Sequence, residues 1–143
     1  MSAVRESGAR AVTPPGGTRE ESSPPSGRLL RLASPSDARR EYVVYVPSSV
    51  GRDSPVFVAV HGISGNVDEH AELFAAHCEA SGAVLVAPHF SREVYPDYQR
   101  LGRDGRGPRA DFALEAILEE VARSTGAAAA QVHLFGFSGG AQF

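Results

Sequence analysis

Two five-residue runs constrain this chain more than any other feature: Val56-Phe57-Val58-Ala59-Val60 and Ala83-Val84-Leu85-Val86-Ala87 are apolar at every position. A strand with one face in water alternates apolar with polar residues. A run without alternation is the pattern of a strand buried on both faces, as in a parallel sheet covered by helices. The residues between and after the runs supply such helices. Asn66 or Asp68 can cap a helix reaching about Ala80, with Leu73, Phe74 and Cys78 on one side and Gly82 as its terminator. A second helix is predicted from about Ala110 to Ser124. Its residues Leu114, Ile117, Leu118 and Val121 fall at i, i+3, i+4 and i+7, and Glu119 and Arg123 can pair on its surface. Val132-His133-Leu134-Phe135 reads as a third short strand.

Upstream, Leu29, Leu30 and Leu32 precede the turn Ser34-Pro35-Ser36-Asp37. Glu41 to Val46 is β-branched and aromatic and stops at Pro47, so the two segments form a hairpin. The element order predicts an α/β domain with a mostly parallel sheet and an N-terminal antiparallel hairpin.

The chain has 143 residues. Residues 1–26 are rich in Pro, Gly, Ser, Arg and Glu without apolar periodicity, and read as a disordered tail. The domain is expected over residues 27–143. No apolar run approaches the length of a membrane span, and no apolar leader is recognisable at the N-terminus, so a cytoplasmic location is expected. The net charge of −3 gives no reason to expect nucleic acid or an anionic membrane as a partner. A single cysteine, Cys78, excludes a disulfide framework or a cysteine-built zinc site within one chain. All 14 basic residues are arginine. That excludes a P-loop lysine, a Schiff-base lysine and a Ser-Lys dyad. No cofactor or metal is implied, and the oligomeric state is left open.

The chemistry concentrates near the C-terminus. Gly136-Phe137-Ser138-Gly139-Gly140 fits G-x-S-x-G and directly follows an apolar strand, with Ala141-Gln142-Phe143 able to begin a helix. That strand–turn–helix setting is what a nucleophile elbow needs. Ser138 would sit at a tight, strained turn, and glycine at 136 and 140 would remove side chains that collide with strand and helix. The Gly139 N–H would face the same reacting carbonyl. His61-Gly62-Ile63-Ser64-Gly65 holds the equivalent place after the first apolar strand. A developing oxyanion needs two rigid N–H donors. The second is assigned to Ile63, with Ser64 as the lesser alternative, while His61 and Gly62 shape the loop.

These motifs and the element order resemble the α/β-hydrolase superfamily, and Gly136 to Phe143 is similar to bacterial esterases and polyhydroxyalkanoate-depolymerase-like members. The resemblance spans about Leu29 to Phe143. It implies serine-dependent hydrolysis of a small ester through an acyl-enzyme on Ser138, with thioesterase or peptidase chemistry as the alternatives. It also implies an acid and then a histidine downstream of Ser138. Only Gly139 to Phe143 lie there, so the chain reads as the N-terminal half of the fold, truncated after the elbow strand.

The histidines present offer no replacement base. His61 belongs to the loop, His70 and His77 read as a solvated helix face, His89 as a polar rim residue, and His133 as a packed core residue. The competing reading is a non-catalytic fragment or remnant, with Val132 to Phe135 as an unpaired edge and broad, non-cooperative melting. The polar segment from His89 to Arg109 is too long for an ordinary connection. Its Tyr95, Tyr98, Arg100 and Arg103 fit either a substrate entrance or a solvated loop.

Overall fold

The computed structural model describes residues 22–143. The tail read from residues 1–26 therefore lies, up to residue 21, outside the described residues. Residues 22–28 carry no regular secondary structure. Gly27 donates its N–H to the Val46 carbonyl at 2.9 Å, so the chain is already tied to the sheet there.

The elements are β1 (Leu29–Ser34), β2 (Asp37–Tyr45), β3 (Val56–Val60), α1 (Val67–Ser81), β4 (Val84–His89), α2 (Ala110–Thr125) and β5 (Val132–Gly136). Short 3-10 turns cover Tyr98–Arg100 and Ser138–Gln142. The five strands form one sheet in the order β1-β2-β4-β3-β5. β1 and β2 are the expected antiparallel hairpin, and β2 also runs antiparallel to β4. β3 lies parallel to both β4 and β5. β2 starts earlier than its apolar run, because pairing Glu41 with Ala33 and Asp37 with Ser34 draws polar residues into the ladder.

The non-alternating runs are divided by the pleat between two cores. Val84 and Val86 of β4 face one side with Val56, Val58 and Val60. There they meet Ala113, Leu114, Ile117 and Val121 of α2. Leu85 and Ala87 face the other side with Ala59 and meet Val67, Ala71 and Cys78 of α1. The two helices therefore cover opposite faces. Both end at a glycine in the left-handed conformation, Gly82 and Gly126, as expected for such terminators.

Several positions differ from expectation. Leu73 is 68% exposed. The buried stripe of α1 is Val67, His70, Ala71 and Cys78, and Leu73 falls outside it. His70 is buried rather than solvated, packed edge-on against Phe135 and Phe137 with ring centroids 6.0 and 6.2 Å away. His77 is exposed, as read. His133 is exposed rather than packed, since among the described residues β5 has only β3 as a strand neighbour and the contact with α1 is made by Phe135 against Phe74. Glu119 and Arg123 form no ion pair. After Ser138 the chain takes a 3-10 turn, not an α-helix.

Candidate active site

β3 and β5 lie side by side with Val60 opposite Gly136, so the loops leaving their C-terminal ends meet. In an open α/β sheet this end of the strands is where ligands bind.

β5 runs through Phe137, still extended at φ −121° and ψ 138°, into Ser138 at φ 52°. Among the described residues only Leu101 shares a positive φ without being glycine. Such a conformation costs of order 1–3 kcal/mol and persists only where the surroundings enforce it. Here glycines let the backbone close tightly around it. A Cβ on Gly136 would stand 2.2 Å from the Gly140 carbonyl oxygen, and one on Gly140 would stand 2.2 Å from the Val60 carbonyl oxygen. Both obstacles are backbone, so neither can move aside. Gly139 is restricted too, its absent Cβ lying 2.6 Å from Ile63 Cγ2 and 2.9 Å from the Tyr98 hydroxyl. That third restriction was not read from the sequence, because the crowding residues are remote in the chain.

The turn closes with Gly140 N–H donating to Phe137 O at 2.9 Å. The Gly139 N–H precedes that first bond and is a donor that a helical turn leaves over. Ser138 is exposed at the tip.

The β3 loop is braced from its buried side. His61 is 1% exposed. Its Nε2 accepts the Phe90 N–H at 3.0 Å, so its proton resides on Nδ1, which donates to the Gly62 carbonyl at 2.6 Å. Burial pushes its pKa below the ordinary histidine range, against the opposing pull of the Gly62 carbonyl. With both nitrogens engaged, neither is free to take a proton from Ser138. The Tyr98 hydroxyl donates to the His61 carbonyl at 3.0 Å. Gly62 to Gly65 forms a tight turn, Gly65 N–H donating to Gly62 O at 3.0 Å. A Cβ on Gly62 would touch Ser138 Cβ at 3.5 Å, so this loop lies directly against the serine. Ile63 packs on Gly139, and Ser64 follows it on the exposed rim.

The other histidines are engaged elsewhere. His89 is the last residue of β4, not one after it, and its Nδ1 lies 3.2 Å from Glu41 Oε2. His70 Nε2 is 3.4 Å from Asn66 Nδ2, and the His77 ring meets Phe57. None of the five forms a hydrogen bond with Ser138. Among the described residues no three His, Cys, Asp or Glu side chains converge as a metal site.

The segment from His89 to Arg109 is neither purely an entrance nor purely solvated. Tyr95 and Tyr98 are buried and their rings pack on Phe90 with centroids 5.3 and 5.5 Å away. Arg103 forms two 3.0 Å bonds to Asp97 and holds that carboxyl below its usual range. Arg100 is exposed. The aromatic spacing of Phe90, Tyr95 and Tyr98 was the available signal for this small core.

Solved structures share this architecture. The chain matches the poly(3-hydroxybutyrate) depolymerase LpqC from Bordetella parapertussis with a TM-score of 0.62 and 25% identity, covering 82% of this chain and 45% of that one. Against poly(aspartic acid) hydrolase-1 from Sphingomonas sp. KT-1 the values are 0.66 and 16%, over 82% and 48%. Against the acetyl xylan esterase from Aspergillus awamori they are 0.62 and 21%, over 80% and 44%. No protein-family model matches the chain, and no curated protein matches it in sequence. The chain has the α/β-hydrolase fold over the part that it covers. It spans about half the length of the solved structures that it matches. No helix among the described residues is long and apolar enough to cross a membrane.

Proposed function

We propose that this chain is the nucleophile-bearing part of a serine hydrolase acting on small esters. Ser138 Oγ attacks the acyl carbon, and the N–H groups of Ile63 and Gly139 hold the oxyanion that develops. The alcohol leaves with a proton as the acyl-enzyme forms, and water then releases the acid and restores the serine. His61 and Gly62 are positioning residues that shape the oxyanion loop. The observation that carries this reading is the positive φ of Ser138, held against Gly62 and beside Ile63 at the ends of two adjacent parallel strands. The esterase and depolymerase names of the matched structures support it.

The Ser138 proton needs an acceptor, and no histidine of this chain reaches it. The base and acid are therefore assigned to residues outside these 143. That same observation favours a second reading, in which the chain taken alone is non-catalytic. Thioester or peptide substrates would use the same nucleophile and are separated by a substrate panel.

The test is fluorophosphonate labelling and short-chain p-nitrophenyl ester turnover by the longest product its reading frame encodes, beside the 143-residue chain. Ser138→Ala should abolish both signals in the longer product. The shorter chain should be slower by about 10⁶, the loss seen when a serine enzyme lacks its base. Labelling that survives Ser138→Ala overturns the proposal.

A further inference from the structure

A cavity of about 280 Å³ opens beside the serine turn, lined by Ile63, Arg92, Pro96, Tyr98 and Gln99. Three of these surround Gly139. A Cβ there would lie 2.6 Å from Ile63 Cγ2, 2.9 Å from the Tyr98 hydroxyl and 3.3 Å from Gln99 Cγ. Three residues that line the cavity thus pack on the residue that follows Ser138. Its polar groups are unequal. The Tyr98 hydroxyl already donates to the His61 carbonyl. Arg92 donates one N–H to the Ile63 carbonyl at 3.3 Å, which leaves the rest of a five-donor guanidinium available.

Arg92 is set apart from most arginines of its segment. Arg103 and Arg106 are paired with Asp97, and Arg109 is paired with Asp111. Among the described residues no carboxylate lies within ion-pair distance of Arg92, and this cavity has no acidic residue in its lining. Glu93 lines a smaller space of about 180 Å³, which Ile63, Arg92 and Tyr98 line as well. A cation tethered to the oxyanion loop and facing an uncharged cavity is complementary to an anion. Its planar fork suits a carboxylate, which it can hold by two parallel bonds.

We propose that Arg92 recognises a carboxylate carried by the substrate, so that this site takes anionic esters in preference to neutral ones. The preference in turnover rests on the proposed role of Ser138, but binding does not.

Two measurements test it. In the longest encoded product, kcat/KM is compared for p-nitrophenyl glutarate hemiester and p-nitrophenyl butyrate, placing the carboxylate on the acyl side. It is also compared for para-acetoxybenzoate and its methyl ester, placing the carboxylate on the leaving group. One anionic member should be preferred, and Arg92→Gln should reduce that ratio about tenfold, with Arg92→Lys retaining part and added salt narrowing it. Separately, Ser138→Ala protein is titrated calorimetrically with monomethyl and dimethyl glutarate and with para-acetoxybenzoate. An anion should bind more tightly than its neutral ester, and Arg92→Gln should remove the difference. Equal binding of anionic and neutral ligands, or a ratio unmoved by Arg92→Gln, overturns the inference. Anion binding that depends on Arg92 without any ester turnover would support it while removing the hydrolase reading.

Discussion

β4 and β5 are written in nearly the same alphabet and meet opposite fates. Val84, Leu85, Val86 and Ala87 of β4 are all fully buried. In β5, Val132 and Leu134 remain 40% and 57% exposed. β4 lies between β2 and β3, with α1 on one face and α2 on the other. β5 has one strand neighbour and a partial cover from α1, supplied by Phe74 and His70 against Phe135. Strand formation is thus a property of the run, while burial is a property of the neighbours. The difference bears on function, because the exposed strand delivers Ser138. The turn's geometry comes from contacts with the buried strand β3, through the carbonyls of Val60 and His61.

The comparison is broken most strongly at its buried end. Leu85→Ala removes a fully buried side chain from the α1 core and should cost about 2–5 kcal/mol. Leu134→Ser, at an exposed position, should stay within about 0.5 kcal/mol. Urea denaturation of the two variants beside the parent measures both, and equal losses would contradict the asymmetry.

Gly140→Ala tests the junction. Its Cβ must displace the Val60 carbonyl or the turn itself, an overpacking cost of about 1–3 kcal/mol. Fluorophosphonate labelling of Ser138 should fall along with the urea midpoint. Unchanged labelling would show that the turn does not depend on its contact with β3.

The smallest effect is the titration of His61. Its folded pKa lies below the ordinary value because burial disfavours the imidazolium. The unfolded chain therefore binds the proton first as pH falls, beginning near the free-histidine value of about 6.5. Stability from this group is fully present above that value and is lost as pH drops toward the folded pKa. NMR titration should show the His61 ring protonating below the free-histidine value of about 6.5. Protonation at that free value would mean that the loop opens to water.

Local pattern made much of this molecule readable. The two unalternating runs, the stripe Leu114, Ile117, Leu118 and Val121, and the terminators Gly82 and Gly126 each rest on contacts or dihedral preferences within a few residues. The serine motif was readable in part for the same reason, since Gly136 answers to Gly140 within one turn, whereas the obstacle at Gly140 is the remote Val60 carbonyl. The burial of His70 and the exposure of Leu73 and His133 were not readable. Each depends on which surface another segment brings near, and periodicity carries no record of that.

The sequence by itself determined a helix-covered sheet with parallel strands, an N-terminal antiparallel hairpin and a glycine-flanked serine after one strand, because pleat, helical period and glycine conformation are local physics. Only the tertiary structure decided that Ile63, Tyr98 and Gln99 converge on Gly139, that His61 has no free ring nitrogen, and that Arg92 faces a cavity without a counter-charge. Those arrangements join residues from separate loops. Their energies depend on distance and desolvation in space, which only the folded packing defines.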